Sequence, residues 1–72
     1  MSEQEKIEVI AEVLEVEEED VIPQKDLQDY DTWDSVAVLS VISIMNEKFD
    51  KFPSAKDVLK NKTVSELMQF LQ

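Results

Sequence analysis

Apolar residues recur at helical spacing in three stretches of this chain, and nowhere do they alternate over the length of a β-strand. The stretches are residues 3–16, residues 35–48 and a last one that opens at Thr63. In the first stretch, the positions i, i+3, i+4 and i+7 are held by Ile7, Ile10, Ala11 and Leu14. The pattern predicts an all-α fold, a small bundle of three main helices plus one short helix.

Two capping patterns predict where the first and last helices begin. Ser2 with Glu5, and Thr63 with Glu66, have the spacing of a capping box, in which each side chain pairs with an amide that the helix leaves free. The predicted last helix carries its own apolar stripe, which consists of Val64, Leu67, Met68 and Leu71. Local hydrogen bonding and apolar spacing therefore predict the same helices.

A short third helix is predicted after Pro53. Ser54 would cap it, and Asp57 in its first turn suits the positive end of the helix dipole. Val58 and Leu59 follow at once, and we expect both to enter the core.

A long connection, residues 17–34, separates the first helix from the second. It opens with the acidic run Glu17–Asp20 and contains Pro23, which cannot continue a helix. A connection of this length in a small domain is usually functional or disordered. Its apolar side chains indicate that it packs over the core, with a brief helical turn near Lys25–Gln28. These side chains are Val21, Ile22, Leu27, Tyr30 and Trp33.

Composition excludes several classes of function. The 72 residues include no cysteine, histidine or glycine, so a disulfide, a cysteine-ligated zinc, a thiol nucleophile and a histidine base are all impossible. Without glycine there is no phosphate-binding loop of the known types, and these absences argue against an enzyme. The 17 acidic and 7 basic residues give a net charge of −10, which opposes binding to nucleic acid and to anionic membranes. Such a surface favours protein partners with basic patches.

Length and the first residues set the expected organisation. The chain is long enough for one domain, residues 1–72, with a modest core. No apolar run approaches membrane-spanning length, and Met1 is followed by Ser-Glu-Gln-Glu-Lys rather than by a signal peptide. We therefore expect a cytoplasmic monomer, and the lack of flanking linkers favours a free-standing protein over an excised module.

Asp34-Ser35-Val36 lies between the acidic loop and the most hydrophobic run of the chain. Ser35 is expected in the first turn of the second helix, with its hydroxyl facing water. Amides in a first turn are unpaired and the helix dipole favours an anion, so a phosphodiester could be attached there. On local sequence alone, a plain helix cap is the commoner role for such a serine.

The second helix has an exposed side that is poor in charge. Its buried side is predicted to consist of Val38, Val41, Ile42, Met45 and Phe49, flanked by Leu39. Its other side is predicted to consist of Val36, Ser40, Ser43 and Glu47, with Ala37 and Ile44 at the edge. A side of this kind is either covered by protein or used as a contact surface.

With this layout the chain resembles the acyl carrier protein family, the phosphopantetheine-binding carriers of fatty acid, polyketide and nonribosomal peptide synthesis. The resemblance covers nearly the whole chain. It comprises the first helix, the acidic loop, Asp34-Ser35-Val36, Glu47-Lys48-Phe49-Asp50 at the end of the second helix, Pro53 and Thr63-Val64. It implies that phosphopantetheine is attached covalently to Ser35, which matches the serine of the family's Asp-Ser-Leu motif, and that Asp34 matches the aspartate. Valine replaces the leucine, and the glycine common just upstream is absent.

The resemblance also implies partners. They are a phosphopantetheinyl transferase, which attaches the arm, and enzymes that load or use the cargo through basic or apolar docking patches. The carboxylates that many members carry along the second helix are mostly replaced here, with Glu47 the main survivor. The expected docking surface is therefore more apolar and consists of Val36, Ala37, Ser40, Ile44 and Glu47. Fatty acyl, polyketide, aminoacyl and alanyl cargoes share this scaffold, and the sequence does not choose among them.

Other interpretations are weighed against this one. The chain could be an unmodified helical adaptor that uses its acidic surface. Asp29, Asp31 and Asp34 have part of the spacing of a calcium loop, but Trp33 takes a ligand position and the loop's glycine and glutamate are missing, so no metal site is predicted. Trp33 is expected to anchor the loop beside Ser35, or else to line a groove for the acyl chain.

Overall fold

Four α-helices build the fold in this computed structural model, which describes residues 1–72. They are α1 (Glu3–Leu14), α2 (Ser35–Phe49), α3 (Ala55–Leu59) and α4 (Val64–Phe70). Two single 3₁₀ turns, Glu18–Asp20 and Leu27–Asp29, lie in the connection between α1 and α2. There is no strand, and the one β-type contact is an isolated bridge between Asp26 and Thr63. The predicted bundle of three main helices and one short helix is confirmed.

The predicted starts of α1, α3 and α4 are present, and each of these three helices begins with a complete capping box. The pairs are Ser2 with Glu5, Ser54 with Asp57, and Thr63 with Glu66. The short helices depend on them most, because helices of five and seven residues are marginal on their own. In α3, the Asp57 carboxylate accepts from the Ser54 amide at 3.0 Å, and the Ser54 hydroxyl accepts from the Asp57 amide at 3.2 Å.

Helix α1 ends at Leu14, so the predicted extension to Val16 is wrong. Glu15 adopts a left-handed conformation with φ 56° and ψ 44°, and the Val16 amide turns back to donate to the Ala11 carbonyl at 3.0 Å. This Schellman arrangement normally uses glycine, of which the chain has none. Asp50 takes the same left-handed conformation after α2, with φ 55° and ψ 38°.

The core lies where α1 packs on α2 and α4, and α3 closes it against α2. Eight large side chains are less than 2% exposed, namely Ile10, Leu14, Leu27, Val41, Val58, Val64, Leu67 and Leu71. Met45 and Met68 are buried as core residues, as predicted, and no polar or charged residue is buried. None of the four helices has both the length and the apolar content needed to cross a bilayer.

Two residues expected in the core face solvent instead. Leu59 is 51% exposed, because Val58 takes the core-facing position of α3 and the next residue is turned by about 100° around the helix. Ile22 is 45% exposed, because it follows buried Val21 in extended chain, where neighbouring side chains point to opposite sides.

The long connection is packed against the bundle, as its apolar residues predicted. Val21, Leu27 and Tyr30 are buried in it. Its backbone pairs with the start of α4: the Leu27 amide donates to the Lys62 carbonyl at 2.8 Å, and the Val64 amide donates to the Lys25 carbonyl at 3.0 Å. The radius of gyration is 10.8 Å, close to the value of about 11 Å expected for a compact chain of this length. The connection therefore does not extend from the bundle.

Candidate functional site

Ser35 is the first residue of α2, and its side chain is exposed. The residue that caps the helix is Asp34, whose carboxylate accepts a hydrogen bond from the Ala37 amide at 3.0 Å. The interpretation of Ser35 as a plain helix cap is therefore wrong. Since Asp34 fills that role, the Ser35 hydroxyl stands at the helix start without a partner in the protein.

Two amides beside this hydroxyl are free. The first helical hydrogen bond of α2 runs from the Val38 amide to the Asp34 carbonyl at 3.0 Å, and the Asp34 carboxylate takes the Ala37 amide. The amides of Ser35 and Val36 consequently have no acceptor. The aligned peptide dipoles of a 15-residue helix add partial positive charge at this end. The Asp34 carboxylate offsets part of that charge, but the free amides still favour a phosphate ester on Ser35.

The segment before Ser35 is held to the end of α1. The Thr32 hydroxyl donates to the Leu14 carbonyl, which is one of the carbonyls that α1 leaves unpaired. The Tyr30 hydroxyl donates to the Asp20 carbonyl and accepts from the Ile22 amide, which closes the acidic part of the loop on itself. These bonds fix the position from which α2 starts, and so they fix the place of the Ser35 hydroxyl.

A groove of about 380 Å³ opens directly beside Ser35. Its walls are mostly apolar and include Trp33, Val38, Leu39 and Leu59. Trp33 also packs against the core, so it fits both roles considered for it, the loop anchor and the groove wall. The sequence missed Leu39 and Leu59 as site residues. The one sequence feature that points to Leu39 is its place just outside the apolar stripe of α2. In the structure its side chain is 61% exposed.

The outer side of α2 is only partly as predicted. Val36 is 68% exposed and Glu47 is also exposed, while Ser40 and Ile44 are half-buried. The Ser40 hydroxyl donates to the Val36 carbonyl at 3.1 Å, so it is turned back onto the helix. Ile44 borders a second groove, of about 310 Å³, between α1 and α2.

Ala37 does not lie on the exposed edge of α2. It is 2% exposed, so its inclusion in a docking surface is wrong. The reason is its register, since Ala37, Val41 and Met45 succeed one another at i+4 and form one buried row along the helix. The small size of alanine hid this burial in the sequence.

The carboxylates of the chain do not gather into a metal site. No group of three or more Asp, Glu, His or Cys side chains lies close enough to hold one ion, and this includes Asp29, Asp31 and Asp34. The carboxylate with a distinct environment is Asp57, whose pKa is lowered below the ordinary 3.8 by hydrogen bonds from the Ser54 amide and hydroxyl. That carboxylate stabilises the start of α3.

A family of known proteins matches nearly the whole chain. The family described as "Phosphopantetheine attachment site" matches residues 7–71, which leaves out only the first six residues and the last. No curated protein and no solved structure gives a significant match to the chain.

Proposed function

Because the chain belongs to the phosphopantetheine-attachment family of non-catalytic carrier domains, we propose that it holds this group on Ser35 and shuttles acyl or related intermediates between enzymes. The observation that carries the proposal is the exposed Ser35 hydroxyl at the start of α2, next to two free amides. The residues present fit the group, since the amides suit its phosphodiester and the groove beside them suits its apolar part.

The chain contributes position rather than chemistry. Ser35 presents its hydroxyl to a transferase, and Asp34 fixes that hydroxyl at the helix start by occupying the cap. When bound, phosphopantetheine supplies a terminal thiol that carries cargo as a thioester, which explains why a chain without cysteine can serve. The tether keeps the cargo at high local concentration near a docked enzyme.

The outer side of α2 is the proposed docking surface for partner enzymes. It consists of Val36, Ser40, Ile44 and Glu47, without Ala37. Exposed Val36 lies one residue from Ser35, so an enzyme that contacts it also reaches the arm. The charge of −10 favours enzymes with basic patches around an apolar contact. We expect the carrier to act as a monomer in the cytoplasm.

One experiment tests the attachment site. The purified chain is incubated with coenzyme A and a broad-specificity phosphopantetheinyl transferase, and its intact mass is then measured by mass spectrometry. We expect the mass of one phosphopantetheine to be added to the wild type and to Ser43→Ala, but not to Ser35→Ala. Ser43 is the matched control because it is another exposed serine of α2, placed in the middle of the helix.

If the mass of the wild type does not change, the result favours the alternative function, an unmodified helical adaptor that binds partners through its acidic surface. A mass gain that survives in Ser35→Ala would place the arm on another residue. The cargo is identified separately, by mass spectrometry of the acyl group on the protein recovered from its native cell.

A further inference from the structure

The positive charge of this acidic protein is concentrated in one segment. Between residues 48 and 62 there are five lysines and two aspartates, a formal charge of +3. Residues 1–47 carry two lysines and fourteen acidic residues, a formal charge of −12. The lysines of the segment are Lys48, Lys51, Lys56, Lys60 and Lys62. We call this segment the basic segment.

Most of this positive charge is not neutralised inside the protein. The one ion pair of the structure joins Lys60 to Asp57 at 3.8 Å, and both side chains are largely exposed. An exposed pair of this kind contributes little, at most about 1 kcal/mol. The other four lysines of the basic segment have no side-chain carboxylate within ion-pair distance. The Lys51 ammonium donates one hydrogen bond, to the Gln72 carbonyl at 2.8 Å. A neutral carbonyl does not cancel its charge, and its other two N–H donors stay available to a partner.

The basic segment borders the largest surface cleft of the protein, of about 710 Å³. Lys51 and Lys60 line it together with Phe52 and Phe70. Phe52 is 75% exposed, which makes it the most exposed large apolar side chain of the chain. The one acidic side chain of the cleft is Glu66, and its carboxylate accepts from the amides of residues 62 and 63.

This cleft lies far from the attachment site. Met45 forms part of its wall, and ten residues of helix at about 1.5 Å each place it about 15 Å along α2 from Ser35. A partner seated in the cleft would contact the C-terminal end of α2 and leave the N-terminal end free.

We propose that this cleft is a second docking surface, which takes an acidic segment of a partner protein and packs one of its apolar side chains against Phe52. Charge complementarity selects this partner. The rest of the molecule repels an acidic segment, whereas Lys51 and Lys60 attract it at this one place. At an ionic strength of about 0.15 M the Debye length is only about 8 Å, so the nearby lysines outweigh the distant carboxylates. The surface holds the carrier while its arm stays accessible, and it does not require Ser35 to be modified.

The test is direct binding of a defined probe, a short fluorescein-labelled peptide of glutamates with one central leucine, followed by fluorescence anisotropy at physiological ionic strength. The unmodified and the phosphopantetheinylated proteins are both measured, so that a failure here says nothing about Ser35. We expect Lys51→Glu to weaken binding by about tenfold or more, because the substitution removes an attractive contact and puts a repulsive charge in its place. Phe52→Ala should weaken it several-fold.

Two control variants test whether the loss of binding is specific to the cleft or follows from a general change in net charge or apolar surface. Lys6→Glu makes the same charge change on α1, and Ile22→Ala removes an exposed apolar side chain from the loop. Both should bind the peptide as the wild type does. The proposal is overturned if the peptide does not bind, or if Lys6→Glu weakens binding as much as Lys51→Glu.

Two other results, each of which identifies a different occupant of the cleft, would also overturn the proposal. Binding to phosphatidylglycerol vesicles that exceeds peptide binding, and is lost in Lys51→Glu and Phe52→Ala, would make the cleft a lipid-binding surface. Dimers in sedimentation velocity that disappear in the same variants would make it a contact between two copies of this chain, basic segment against acidic loop.

Discussion

Replacing Glu15 by glycine should stabilise the protein, because Glu15 holds a left-handed backbone conformation that glycine adopts without steric cost. The conformation is imposed by two hydrogen bonds that end α1. The Glu15 amide donates to the Glu12 carbonyl at 3.2 Å, and the Val16 amide donates to the Ala11 carbonyl at 3.0 Å. The Glu15 side chain is exposed and makes neither a hydrogen bond nor an ion pair, so its removal loses no contact.

The size of the effect follows from three contributions. A non-glycine residue in the left-handed region costs about 1–2 kcal/mol. Relieving this cost stabilises the protein, but about 0.4–1 kcal/mol of the gain is lost again, because glycine has more conformational freedom in the unfolded chain. Removing a carboxylate from the negative end of α1 adds about 0.3 kcal/mol. The net gain is about 1 kcal/mol, which for a domain of this size raises the melting temperature by about 4–8 °C.

Urea denaturation followed by circular dichroism measures the free energy of unfolding of each variant. Glu15→Ala keeps the backbone strain and removes only the carboxylate, so it should gain no more than about 0.3 kcal/mol. Glu17→Gly is the matched control. This exposed residue has φ −73° and ψ 154°, where glycine has no steric advantage and should destabilise by about 0.5–1 kcal/mol. The reasoning is refuted if Glu15→Gly is no more stable than Glu17→Gly.

Four further outcomes are expected. Added NaCl or Mg²⁺ should raise the melting temperature by screening the self-repulsion of a chain of charge −10, and a melting temperature indifferent to salt would contradict this. Leu27→Ala, at a fully buried loop anchor, should cost about 2–5 kcal/mol in urea denaturation, whereas Ile22→Ala should change stability by less than about 0.5 kcal/mol; equal costs would refute the packing of the loop. Because the pKa of Asp57 is lowered in the folded state, its carboxylate stabilises the protein above pH 3.8 and loses this effect as the pH falls through the folded-state pKa. Asp57→Asn should therefore be less stable than the wild type at pH 7, with a gap that closes in acid, and denaturation at both pH values checks this. Trp33→Ala should lower the melting temperature and also slow the delivery of cargo; delivery at the wild-type rate would exclude a role for the groove.

The elements of this fold could be predicted because the information for them is local. Apolar spacing and the capping pairs lie within a few residues of each other, so the starts of α1, α3 and α4 follow from short pieces of sequence. The end of α1 could not be predicted in the same way. Without a glycine to indicate it, the left-handed turn at Glu15 depends on how the chain must leave the helix to cover the core.

The position of Ser35 could be predicted from the sequence, but the surroundings of Ser35 could not. The position of Ser35 at the start of α2 follows from the pattern around Asp34-Ser35-Val36. The bond from Thr32 to the Leu14 carbonyl joins residues 18 positions apart, and no periodicity indicates it. The groove wall depends on the rotation of α3, which turns Leu59 away from the core and toward α2. Such features arise from tertiary packing and need coordinates.

Trp33 is the one tryptophan of the chain, and it stands two residues before Ser35 on the wall of the adjoining groove. Its indole emission depends on the polarity of its immediate surroundings. Anything attached to Ser35 that enters the groove would displace water from the ring and shift the emission. With the proposed attachment at Ser35, Trp33 would therefore act as an intrinsic optical reporter of loading, and the kinetics of arm attachment could be followed in real time without a label.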